Sequence, residues 1–201
     1  MIPNATTRGG DAAAAERALF LRRWLAHPLR MGSVVPSSRA LCRLVARHAW
    51  RGDDGIVVDL GAGTGPVSRA FLDAGLPPSR LIAVEVDPAM IDALRANLPG
   101  AAALLADARE LPSILPEPTL RRVASVVCGI PLVMLPLAEQ RRFVAAIDAL
   151  APGRGFVLYS YCATSPIPAA KLGLEGRRAA WTPLNFPPAS VWRYVPRAGA
   201  R

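Results

Sequence analysis

Asp59 stands ahead of a run of glycines, Gly61-Ala62-Gly63-Thr64-Gly65, at the end of the apolar stretch Ile56–Leu60. Glycine lets a backbone turn tightly and approach a ligand closely. A loop of this kind, Thr64 included, holds a cofactor largely through its main chain, although nicotinamide and flavin sites use related loops. The acid shifts the balance: ahead of the glycines it would repel a pyrophosphate, and it suits a ligand that carries an amino group. Glu85, 20 residues after Gly65, closes the next apolar stretch beside Val86. A carboxylate there can accept both hydroxyls of a ribose. Asp107-Ala108 ends a third stretch, where an Asp side chain can accept from an adenine amino group. Two other readings stay open. The glycines can serve a turn alone among three surface acids, or the loop can hold a nicotinamide, for which no second domain is expected to carry a hydride acceptor.

In this order, Asp59, Gly61, Gly63, Gly65, Glu85 and Asp107 resemble the class I methyltransferases. The resemblance implies that these positions hold the methionine, ribose and adenine portions of S-adenosylmethionine, with S-adenosylhomocysteine as product. It also places the end of the fourth strand, Ser125-Val126-Val127-Cys128-Gly129-Ile130-Pro131-Leu132, beside the sulfonium methyl group. Enzymes that methylate the amines of nucleic-acid bases carry Asn or Asp and an aromatic ring there, to orient and stack the flipped base. Gly129 and Leu132 stand at those two ends here, so a base is not the expected substrate. Cys128 has no activating partner in sequence, which favours a buried strand-end residue bordering the cofactor over a nucleophile.

Further segments sharpen the resemblance. Phe20–Leu25, Gly32-Ser33-Val34-Val35-Pro36-Ser37-Ser38, Gly129-Ile130-Pro131-Leu132, Tyr159-Ser160-Tyr161 and Val191-Trp192-Arg193-Tyr194 together look like the soluble bacterial phospholipid N-methyltransferases of the PmtA type. That family converts phosphatidylethanolamine stepwise toward phosphatidylcholine, and the likeness covers roughly residues 16–196. It implies a phospholipid amine as acceptor. The runner-up is an rRNA adenine N6-methyltransferase; a third reading is a membrane-binding protein that keeps the cofactor fold without catalysis. For the lipid reaction, Tyr159 and Tyr161 are expected on one face of the fifth strand, at least one of them lining the pocket. There it would supply a hydroxyl or a ring face for methylated cations. The carbonyls of Gly129 and Ile130 are the other candidates for orienting the amine. Ser37 and Ser38 are candidates for the cofactor's carboxylate, or for capping the helix that follows.

Positioning these residues requires strands and helices in alternation. Apolar runs at Ile56–Leu60, Leu81–Val86, Ala101–Ala106, Val123–Cys128 and Gly155–Tyr161 read as strands. Pro66–Ala74, Pro88–Asn97 and Ala138–Leu150 read as helices, and segments 178–184 and 190–195 as a terminal hairpin. The pattern predicts an α/β fold: a doubly wound, mostly parallel seven-stranded sheet with an N-terminal helical extension. Residues 1–11 read as a disordered start, 12–51 as N-terminal amphipathic and lid helices, and 52–201 as the cofactor-binding core of the same domain.

The chain has 201 residues, 52% hydrophobic and 19% charged, a globular composition. No apolar run reaches membrane-spanning length. Three separated cysteines and two histidines suggest neither a disulfide framework nor a metal site. Of the net charge of +9, +7 falls within residues 1–51, where nine arginines face Asp11 and Glu16. On a helical wheel for residues 13–27, Phe20 and Trp24 share a face with Leu21 and Leu25, Arg22 and Arg23 lie opposite, and Arg17 sits at the apolar edge. These five, Arg17, Phe20, Arg22, Arg23 and Trp24, suit the interface of an anionic bilayer, each Arg contributing on the order of 1 kcal/mol. The alternative is a lid over the cofactor. The expected partners are a phospholipid substrate and an anionic membrane surface, without metal or nucleic acid. A monomer in the cytoplasm, peripherally attached to the inner face of the membrane, is the expected setting.

Overall fold

The computed structural model describes residues 37–50 and 52–198. Ser38 caps helix α1 (Arg39–Ala49), its hydroxyl accepting from the Leu41 amide. Leu41, Cys42, Val45, Ala46 and Ala49 form the buried face of α1, at helical spacing. The chain then alternates: β1 (Ile56–Leu60), α2 (Pro66–Asp73), β2 (Leu81–Glu85), α3 (Pro88–Asn97) and β3 (Ala102–Leu105). Two four-residue helices, α4 (Leu111–Ile114) and α5 (Glu117–Leu120), lead into β4 (Val123–Cys128), α6 (Leu137–Leu150) and β5 (Phe156–Ser160). An antiparallel pair closes the sheet, β6 (Leu174–Thr182) and β7 (Ala189–Pro196).

The seven strands lie in the order β3-β2-β1-β4-β5-β7-β6. The first five are parallel, and β7 inserts antiparallel between β5 and the edge strand β6. Every residue of β1 and β2 is buried, because helices cover both faces. On one face Val58, Leu60 and Val126 pack with Phe143, Ile147 and Leu150 of α6. On the other, Val57, Val127 and Val157 pack with Leu41 and Val45 of α1, Phe71 of α2 and Leu94 of α3. Helix α1 therefore belongs to the body of the sheet.

Ile56–Leu60, Pro88–Asn97 and Val123–Cys128 have their expected bounds, and the hairpin is present. Its first strand starts at Leu174, four residues before the expected Arg178, because an exposed edge strand lacks the apolar alternation that would reveal it. Strands β2, β3 and β5 stop one residue short of their expected ends, so Val86 and Tyr161 lie beyond them. Helices α4 and α5 were not anticipated; four residues are too few to display a period. Among the described residues, no helix is long and apolar enough to cross a membrane.

Candidate active site

Strand order reverses between β1 and β4, and in open sheets of this kind ligands bind beyond the C-terminal strand ends at that point. The glycine loop lies there. Its amides at Gly61 and Ala62 both bond the Val84 carbonyl of β2, and the Gly129 amide after β4 donates to Leu60 O at 2.7 Å. Gly61, Gly63 and Gly65 have φ of 72°, 60° and 90°, in the left-handed region that glycine alone enters freely. Gly65 then starts α2, with Pro66 at its first position.

Asp59 is buried in β1. Its Oδ2 accepts from Ser68 Oγ of α2 at 2.6 Å, and its Oδ1 is buried without a hydrogen-bond partner. Burial pushes its carboxyl up to about 6; the Ser68 bond opposes this and the Glu85 charge adds to it. A buried carboxylate with an unpartnered oxygen is costly unless a cation or donor meets it. Glu85 faces the loop: Oε2 accepts from the Gly63 amide at 2.8 Å, and Oε1 from the amides of Val86 and Asp87. These contacts hold the carboxylate against the loop while lone pairs remain for further donors.

Asp107 is engaged more fully than its sequence position suggests. The Arg109 side chain forks onto both its oxygens and reaches Glu139 of α6 through Nη1, while its plane lies over the Phe143 ring. Burial raises the Asp107 carboxyl, but the bonds and charge of Arg109 outweigh that and hold it below the usual carboxylate range. Ala108 beside it is buried and Thr64 exposed, its carbonyl accepting from Asn97 Nδ2.

At the end of β5 the Tyr159 hydroxyl meets Gly129 and hydrogen-bonds the Ser37 hydroxyl. Burial, and then the nearby Asp59 charge, raise this phenol well above its usual value, so it stays protonated. Asp59, Tyr159, Ser37 and the glycine loop thus form one cluster on the α1 side of the sheet.

Several expected roles are corrected. Tyr161 lies past the end of β5 and is 36% exposed, yet its phenol is near enough to raise that of Tyr159. Cys128 is fully buried in the core, its thiol donating to Ile130 O and pushed up to about 12 by burial, so its side chain does not face a ligand. The Ile130 carbonyl is already occupied by that thiol and by the Leu132 amide, so of the two orienting carbonyls only that of Gly129 is retained. Ser38 is taken by capping α1, and its amide is bound by Asn185 Oδ1 at 2.8 Å. Arg17, Phe20, Arg22, Arg23 and Trp24 lie outside the described residues. Ser68, Arg109 and Asn185 are additions. Only Ser68 had a signal, standing nine residues after Asp59, in the first turn of the helix behind it.

Among the described residues, no group of three or more His, Cys, Asp or Glu side chains is placed to hold a metal.

A doubly wound sheet with an antiparallel last insertion, a glycine loop and acids at the ends of β1, β2 and β3 defines the architecture of the class I methyltransferases. The family described as "Methyltransferase domain" matches residues 57–153. The ornithine lipid N-methyltransferase of Singulisphaera acidiphila is 33% identical over 142 residues, which span 69% of this chain and 74% of that protein. An uncharacterized methyltransferase of Mycobacterium tuberculosis is 46% identical over 56 residues, 28% of this chain and 22% of that protein. In fold, the chain is similar to the 1,6-didemethyltoxoflavin-N1-methyltransferase of Burkholderia thailandensis. That likeness has a TM-score of 0.63 at 16% identity and covers 97% of this chain and 93% of that one. The precorrin-6y C5,15-methyltransferase of Geobacter metallireducens gives 0.61 at 17%, covering 82% and 91%. The chain belongs to the class I S-adenosylmethionine-dependent methyltransferases. S-adenosylmethionine is its cofactor, and the residues present fit it: the unpartnered Asp59 Oδ1 matches an ammonium, and Glu85 against Gly63 matches a diol.

Proposed function

We propose that the protein transfers methyl groups to the primary amine of a membrane lipid, phosphatidylethanolamine first among them, and then to its mono- and dimethylated forms. The observation that carries this reading is the likeness over 142 residues to a protein named for N-methylation of an amine-bearing lipid. The site supports it. A Cβ on Gly129 would stand 2.8 Å from both the Tyr159 hydroxyl and Gly61 O, so the Asn or Asp that orients a base amine has no room there. The Tyr159 hydroxyl takes that place.

Bound S-adenosylmethionine supplies an electrophilic methyl group on a sulfonium that is already a good leaving group. In this reading Asp59 holds the ammonium of the methionine portion, Glu85 the ribose hydroxyls, and Asp107, fixed by Arg109, borders the adenine. A lipid ammonium titrates near about 10, like lysine, and only the neutral amine has a lone pair. Desolvation beside Tyr159 lowers that value, so the amine sheds its proton to solvent as it enters. Tyr159, itself protonated, would accept a hydrogen bond from a primary or monomethylated amine and orient its lone pair, with the Gly129 carbonyl as second acceptor for the primary amine. The dimethylated amine, which has no N–H, would be held by packing.

A second reading, favoured by the same relative, takes the amine of an ornithine lipid. Vesicles containing both lipids separate the two. Mass spectrometry of the extracted lipids is expected to show phosphatidylethanolamine gaining up to three methyl groups. Methylation of the ornithine lipid alone would replace the first reading with the second.

A further inference from the structure

The turn between β6 and β7 is built inside out. Asn185, the polar residue at its centre, is buried, with Oδ1 on the Ser38 amide and Nδ2 donating to Pro187 O. Its neighbours Leu184 and Phe186 are 74% and 82% exposed, and Trp181 at the end of β6 is 55% exposed. A surface loop in water ordinarily does the opposite, and apolar side chains held outward together mark a contact surface.

The position of the turn says what it meets. Trp181 pairs with Ser190, and Ser190 with Ser160, the last residue of β5. The turn therefore projects from the same edge of the sheet as the glycine loop, Gly129 and Tyr159. Other exposed apolar side chains gather at that edge: Leu105 ends β3, Val133 and Met134 follow β4, and Tyr161 follows β5. Among the described residues, Ile114 on α4 is the one exposed large apolar side chain not at that edge by its place in the chain. Charge matches an anionic surface. Residues 176–196 hold three arginines and no acid, and Arg177 and Arg178 are exposed on the edge strand that leads to the turn.

We infer that the β6–β7 turn is a membrane-docking element: Leu184, Phe186 and Trp181 enter the interface of an anionic bilayer, and Arg177 and Arg178 meet its phosphates. Aromatic and aliphatic tips flanked by arginine are suited to that interface, and the Asn185 anchor fixes the bilayer at the edge where the lipid amine must enter. The choice of a bilayer as occupant rests on the lipid-amine reading.

The test is co-sedimentation of the full chain with vesicles of phosphatidylethanolamine and phosphatidylglycerol. Leu184→Ser/Phe186→Ser is expected to lower partitioning about tenfold or more, with thermal stability and cofactor affinity unchanged, since both side chains are exposed. Arg177→Gln/Arg178→Gln is expected to flatten the dependence on phosphatidylglycerol. Equal partitioning of the serine variant and the unaltered protein, or no partitioning of the unaltered protein, would overturn the inference. So would a loss of stability or of self-association in the serine variant without a change in partitioning, which would assign the turn to residues 1–36 or to a second copy. Vesicle binding that needs Leu184 and Phe186, without methylation of any lipid, would overturn the lipid-amine reading and leave the docking surface standing.

Discussion

The Tyr159 hydroxyl stands against Gly129 so closely that a single added carbon there would come within 2.8 Å of it. Gly61 O would be equally near and Leu60 O 3.2 Å away, so the site leaves no volume between the β4 end, the glycine loop and the phenol. Gly129→Ala is expected to lower kcat/KM by about a hundredfold, with a stability loss of about 1–3 kcal/mol from overpacking. Tyr159→Phe removes the hydroxyl without changing the packing. It is expected to lower kcat about ten- to a hundredfold and to leave KM nearly unchanged, at a stability cost of about 1 kcal/mol for the lost Ser37 partner. Steady-state kinetics with thermal melts check both; a Tyr159→Phe enzyme with full kcat would remove the phenol from the mechanism.

Asp59 ties cofactor binding to pH. Its folded value, about 6, lies above that of an ordinary carboxyl. Without cofactor, the stability linked to its neutral form is therefore fully present below about 4 and lost as pH rises through about 6. Cofactor binding has the opposite sense, because an ammonium needs the ionised form: affinity is expected to fall by up to about tenfold per pH unit below 6. Asp59→Asn keeps an acceptor for Ser68 and removes the charge. At neutral pH it is expected to melt higher by the equivalent of roughly 2–3 kcal/mol and to bind S-adenosylmethionine at least about tenfold more weakly. Calorimetry across pH 5 to 8 reads both effects; a pH-dependent affinity in Asp59→Asn that matches the unaltered protein would contradict the assignment.

Arg109 holds two carboxylates at once. The side chains of Arg109, Asp107 and Glu139 are 25%, 21% and 18% exposed, sheltered enough for the pairing to matter. Arg109→Ala is expected to destabilise by about 2–3 kcal/mol and to weaken cofactor binding by freeing Asp107. Because Asp107 is held below the usual carboxylate range, its stabilisation is present above that range and lost as pH falls through it. The variant should therefore lose less stability on acidification than the unaltered protein. Urea unfolding at neutral and acid pH reads this directly.

An amine acceptor that must lose its proton gives a second pH signature. With a protonated Tyr159 and no base assigned to the amine among the described residues, kcat/KM for the lipid is expected to rise with pH up to about 9 or beyond. The slope should survive in Tyr159→Phe. A rate that levels off near neutral pH would mean that the pocket lowers the amine's value that far or supplies it with a base.

The central strands were legible because β1 and β2 are buried on both faces and read as unbroken apolar runs. Edge strands carried less signal. β3 is apolar but half or fully exposed, and in β6 the buried Leu174 is followed by an exposed run, residues 175–178, that shows no alternation. In the site, Asp59 and Glu85 could be found from their places at strand ends next to glycines. Arg109 could not, because its role needs Glu139, thirty residues away on α6. Asn185 acts on Ser38 across 147 residues, a contact that only the folded sheet creates. Cys128 was legible as a buried strand-end residue, whereas the turn that carries Tyr161 past the end of β5 left no mark in the sequence.

The central claim is methyl transfer to a lipid amine, and the most direct measurement follows labelled S-adenosylmethionine mixed with purified protein and vesicles of phosphatidylethanolamine. The account predicts label in the lipid extract as methylated phosphatidylethanolamine, lost in Gly129→Ala and increased by anionic lipid in the vesicle. Cofactor binding with no label in any lipid, or label transferred instead to unmodified rRNA, would contradict it.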